Sequence, residues 1–180
     1  SAYGSTNAPI LPGSCGGTQP NTPFPPRGGG AVRVEARGEV LLDGTITANG
    51  KKGGAWSTSM DGGCGSGGGI FIICNSLVGS TNGILSANGG TSGGGSVYGG
   101  GGGGGRIAVW YAIPANRVPG ILDGSNMRNV IITNMCKTFK GTNMVTAGLG
   151  YTNLPPDGAA AGSIVYLTLK ADQGILLIVR

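Results

Sequence analysis

The chain repeats itself, and the repeat couples glycine runs to short apolar stretches. Gly28-Gly29-Gly30 leads into AVRVEA at 31–36, Gly67-Gly68-Gly69 into IFIICN at 70–75, and Gly104-Gly105-Arg106 into IAVWYA at 107–112. Fourteen residues into each copy comes a second apolar stretch, at Thr45 in GTITANG, Ile84 in GILSANG and Ile121 in GILDG. Ala31 to Ile70 and Thr45 to Ile84 are both 39 residues apart, and Ile70 to Ile107 is 37. A fourth copy at Ile164–Leu169 follows after 57 residues, which reads as an insertion of about twenty residues within 125–160. One such copy cannot bury its apolar face, but stacked copies can.

The fold class expected from this pattern is all-β, a right-handed parallel β-solenoid with almost no helix. A single domain spans 1–180, long enough for one core and too short for two. Residues 1–30 form an extended Pro/Gly-rich lead-in, 31–124 three regular coils, 125–160 the insertion and 161–180 the final coil. Each coil carries two strands and a glycine-rich, partly polyproline-II return leg. Aligning Ala31 with Ile70, Ile107 and Ile164 points Val32, Phe71, Ala108 and Val165 inward. The same alignment turns Ile72, Cys74 and Val109 outward, where the insertion or a partner subunit has to cover them. Arg33, Glu35, Arg37 and Glu39 share one face and read as a solvated surface or the capped end of the stack.

Twelve of the seventeen residues from Gly89 to Gly105 are glycine. Such a run has no side chains to bury and loses much backbone entropy on ordering, which describes a linker. Its recurrence with the strands argues for a packed leg instead, in which backbones approach closely because no Cβ intervenes. Asn49 and Asn88, in the two Ala-Asn-Gly triplets, are expected to serve turns or an internal asparagine ladder.

Chemistry is restricted by composition. The chain has no histidine, so the commonest general base and metal ligand is missing. The acids are Glu35, Glu39, Asp43, Asp61, Asp123, Asp157 and Asp172. They show no paired-carboxylate spacing, and the Asp-Gly pairs suit turns. No catalytic residue, cofactor or metal site is expected. The net charge of +5 comes from scattered basic residues, not the clustered stripe that nucleic acid requires. The longest uninterrupted apolar run, at 107–113, has seven residues, against about twenty for a membrane helix. The opening SAYGST carries no signal-peptide pattern and suits a mature or excised chain.

Four cysteines occur, Cys15, Cys64, Cys74 and Cys136, with no CxxC spacing. Two disulfides, in an oxidising extracellular setting, are favoured over buried thiols. Three pairings exist; Cys74–Cys136 with Cys15–Cys64 suits the expected columns best.

GTITANG at 44–50, GILSANGG at 83–90 and GGGGGGGRIAV at 99–109 resemble the glycine-rich β-helix-like repeats of large secreted and surface proteins of bacteria, which are adhesin-like chains. The resemblance covers 3–124 and, less closely, 162–179. It implies an architecture and a cell-surface or extracellular setting, and it brings no catalytic residues.

The function expected is that of a non-enzymatic extracellular structural protein that assembles with copies of itself, as a filament or surface layer, through solenoid ends or strand complementation. Ile175, Leu176, Leu177, Ile178 and Val179 form an apolar stretch that needs a strand partner, and are the assembly candidates. The alternative is an adhesin or glycan-binding module of a larger surface protein. There Trp56 and Tyr98 are candidate platforms for surface glycans, and Trp110 is read as core.

Overall fold

The computed structural model describes residues 4–18, 25–53, 55–57, 60–92, 99–122, 130–133, 136–150 and 159–170, with backbone alone for 55–57 and 60–61. The first coil supplies β1 (Ala31–Glu35), β2 (Glu39–Leu41) and β3 (Thr45–Thr47). A short pair follows, β4 (Ala55–Ser57) and β5 (Met60–Asp61). The second coil gives β6 (Gly69–Ile73), β7 (Ser76–Val78) and β8 (Ile84–Ser86). Then come β9 (Arg106–Trp110), helix α1 (Val118–Leu122), β10 (Val130–Thr133), β11 (Thr142–Met144) and β12 (Ser163–Leu169).

The largest sheet has five strands in the order β1-β6-β9-β12-β10. Its first four strands are parallel, and β10 runs antiparallel to β12. A second sheet is β11-β8-β3, all parallel, and β2 pairs with β7 in a third. β4 and β5 pair antiparallel.

The all-β, right-handed parallel solenoid is therefore not what the chain forms. The sheets mix parallel and antiparallel pairs, a helix is present, and the coils do not close. Each of the first two coils contains three strands, not two. The third coil departs further. Its expected second strand, at Ile121, lies in α1, where Pro119 fits the first helical turn because its missing N–H has no partner to lose. The vacant place beside β8 is taken by β11, from the expected insertion.

The register of β1 against β6 differs by one residue from the sequence alignment, with Val32 opposite Ile70, whereas Ile70 lies opposite Ile107 and Ile107 opposite Ile164 as aligned. A slip of one exchanges the two faces of a strand. Val32, Val34, Ile70, Ile72, Ile107 and Val109 accordingly face the main core, where they meet Leu77, Leu85 and Ala87. Cys74 is on this interior side, not the outer one. Phe71, Ile73, Ala108, Trp110 and Leu167 form the opposite face. That face is covered by Ile113, by Val118 and Ile121 around α1, and by Ala8 of the lead-in. Trp110 is fully buried, and its indole N–H donates to Asn7 O at 2.8 Å, so a polar group buried in an apolar layer is satisfied. From the expected insertion, Cys136 and Phe139 pack in one core cluster with Ile72, Cys74 and Val109, the residues it was expected to cover, while β10 extends the sheet edge.

The glycine-rich legs lie against one another. One relay of hydrogen bonds crosses six segments: Gly148 N donates to Gly102 O, Gly102 N to Gly90 O, Gly90 N to Gly65 O, Gly65 N to Lys51 O and Lys51 N to Arg27 O, all at 2.8–3.0 Å. The donor and acceptor rows thus find partners without a conventional sheet ladder. Where the legs touch, the spacing leaves no room for a side chain. A methyl group at Gly102 would overlap Gly65 O, and one at Gly68 would overlap Gly30 O. Among the described glycines only Gly4 has a positive φ, so close approach and not left-handed backbone is what the legs require.

Candidate functional site

The three strands of the first coil each end a sheet. Among the described residues β1 pairs only with β6, β2 only with β7 and β3 only with β8. Consecutive in the chain, they leave three bare edges on one end of the molecule, and an unpaired edge is a template for another strand. The side chains around these edges are exposed: Arg33, Glu35, Arg37, Glu39 and, at 65%, Leu41. Arg33 and Glu35 form an ion pair across one strand face. The other end is less regular. There, among the described residues, β10 has a free edge and exposes Ile132 at 67% and Ile131 at 42%, and β11 has a neighbour on one side only.

The acids near the bare edges are engaged in joining coils. Glu39 Oε2 accepts from Ser76 Oγ at 3.3 Å. Asp43 Oδ1 accepts the Ser80 N–H at 2.7 Å, and hydrogen bonding to Ser80 holds this carboxyl below its ordinary range. The asparagines form a ladder. Asn49 Oδ1 accepts from Ser86 Oγ and Asn88 N, both at 2.7 Å, and Asn88 Oδ1 accepts from Thr146 N at 2.9 Å. Neither Asn49 nor Asn88 has a positive φ, so they connect coils side by side and do not reverse the chain. Among the described residues no three acid or cysteine side chains gather as a metal set.

Cys74 and Cys136 are buried in the same apolar cluster. Burial, and secondarily the nearby Cys136, pushes the Cys74 thiol up to about 12. Cys136 Sγ lies 3.5 Å from Leu77 O and 3.1 Å from Thr138 Oγ1. Cys15 is exposed and Cys64 buried, on legs that touch: a methyl at Gly16 would strike the backbone of Gly63 and Cys64. No disulfide joins these four residues in the structure. Tyr166, in the main core, is likewise raised to about 12, chiefly by burial and against the effect of its hydrogen bond from Asn143.

Several expected site residues fall elsewhere. Trp56 is on β4, where the side chains lie outside the described residues, as does all of Tyr98. Ile175, Leu176, Leu177, Ile178 and Val179 lie outside them too, as do Asp123, Asp157 and Asp172. Among the described residues no helix is long and apolar enough to cross a membrane. The bare edge of β2 was missed by sequence reasoning, because EVL at 39–41 sits in a charged turn-like stretch; its one signal is the match to SLV at 76–78.

No family model, curated protein or solved structure matches the chain.

Proposed function

We propose that the protein is a non-enzymatic structural subunit of an extracellular or cell-surface assembly, built by copies of itself joining at their strand ends. The observation that carries this reading is the set of three bare edges, β1, β2 and β3, on one end of the stack. A second copy is the occupant that fits, because its β10 offers an equally bare edge with two exposed isoleucines. Joining one end to a different end is a heterologous contact, which propagates without closing unless a rotation brings it into a ring.

Size-exclusion chromatography with light scattering, followed by negative-stain microscopy over a concentration series, tests the reading. Filaments or concentration-dependent oligomers are expected. A monodisperse monomer at every concentration overturns it. The extracellular part of the reading carries its own test. The proposed pairs Cys74–Cys136 and Cys15–Cys64 are supported by their shared core and touching legs. Peptide mapping of protein from its native source, with and without reductant, should return both pairs, and four reduced thiols would contradict an oxidising compartment.

A further inference from the structure

Between β7, Tyr111 just after β9, Thr133 and residues 136–138, a cavity of about 580 Å³ opens beside the main core. That volume is in the range of small-molecule sites. Its floor is Leu77 and Cys136, both buried, with the half-buried Tyr111 ring as one wall. The hydroxyls around it are already engaged. Tyr111 Oη and Thr133 Oγ1 are 2.9 Å apart, and Thr138 Oγ1 donates to Leu77 O at 2.6 Å. Tyr111 is also fixed edge-to-face on Tyr166, ring centroids 6.4 Å apart. The space left is therefore mostly apolar and held open by bonded walls. The single charged side chain at the cavity is Lys137, exposed and without an ion pair among the described residues.

We propose that this cavity binds a small amphipathic anion, an aromatic or medium-chain carboxylate or sulfonate, with its apolar body on Leu77 and Tyr111 and its head at Lys137. The apolar floor supplies the affinity and the lysine selects the charge. The site does not depend on the assembly reading, since it uses none of the bare edges.

The probes are 8-anilinonaphthalene-1-sulfonate, followed by fluorescence, and decanoate as competitor. Saturable binding to the folded full chain is expected, displaced by decanoate. Lys137→Glu should weaken both by about five- to tenfold at low ionic strength, the effect of reversing one exposed charge. Ser76→Trp, which fills the mouth from a half-exposed position, should abolish binding while leaving the far-ultraviolet dichroism native. In protein kept reduced, decanoate should also slow monobromobimane labelling of Cys136, read by peptide mapping. Absence of saturable binding overturns the proposal, as does binding unchanged in both variants. Decanol competing as well as decanoate overturns the anion selectivity. Protection of Cys136 that rises with protein concentration, without ligand, assigns the cavity to a second copy instead.

Discussion

At the scale of single residues, the legs are set by what glycine lacks. Gly100 and Gly102 lie on one leg, yet a methyl at Gly100 meets nothing within 4 Å and one at Gly102 meets backbone of Gly65 and Gly90. Gly100→Ala should be neutral or raise stability by up to about 1 kcal/mol, since it restricts the unfolded chain. Gly102→Ala should cost about 3 kcal/mol or more, because backbone cannot yield as a side chain does, lowering Tm by roughly 10 °C. Thermal melts by circular dichroism separate the two. Ala112, two residues past the end of β9, has φ of 56°, which costs an L-residue about 1–2 kcal/mol. Ala112→Gly should therefore raise Tm, whereas Ala112→Val should lower it. Cys74 and Tyr166 have raised folded-state values, so their contribution to stability is whole below the unfolded values, near 9 for the thiol and 10 for the phenol. It is lost as pH rises toward about 12. In the reduced protein, urea midpoints should fall steadily from about pH 9 upward, and Cys74→Ser should remove the earlier part of that fall.

At the scale of elements, the sequence marked most strands that begin after a glycine run and misread what lies between them. The β6, β9 and β12 positions were legible because Val/Ile-rich runs follow glycine. Their register against β1 was not: GGGAVRVEA and GGGIFIICN align by eye at Ala31 and Ile70, but burial of Val32 and Val34 in the main core sets Val32 opposite Ile70. α1 was hidden because GILDG repeats the letters of GILSANG; Pro119 and the need to cover Trp110 decide its conformation. The candidate site was half legible. The charged face of β1 was read as a solvated face or the capped end of the stack, whereas β2 and the cavity depend on contacts formed across 22 or more residues. Phe139 shows how such contacts act. Its ring packs into a notch in which methyls at Gly79 and Gly83 would come within 2.8 Å, and it makes a parallel bridge with Gly79. Phe139→Ala should cost about 3–5 kcal/mol and loosen 136–144 from β7 and β8. Urea titration gives the cost, and proteolysis within 136–144 reports the loosening.

For the whole molecule, the reversed strand β10 matters most. Because β10 runs against β12 while β1 runs with it, a copy docked head to tail would pair β1 with β10 antiparallel. Ile132→Lys places a charge on the proposed joint at a position 67% exposed, where the fold should change by no more than about 0.5 kcal/mol. Polymerisation should then be lost or shifted to much higher concentration, with the monomer's dichroism unchanged. Assembly at the original concentration would place the joint elsewhere.

The relay from Gly148 to Arg27 has a consequence for time, not only for shape. Polyglycine in water exchanges its amide protons within moments, because nothing shields them. Here the amides of Gly65, Gly90 and Gly102 each give their proton to a carbonyl of another leg. They can exchange only when several coils separate together, so residues that look most like a linker should retain hydrogen as long as the buried strand β6 does.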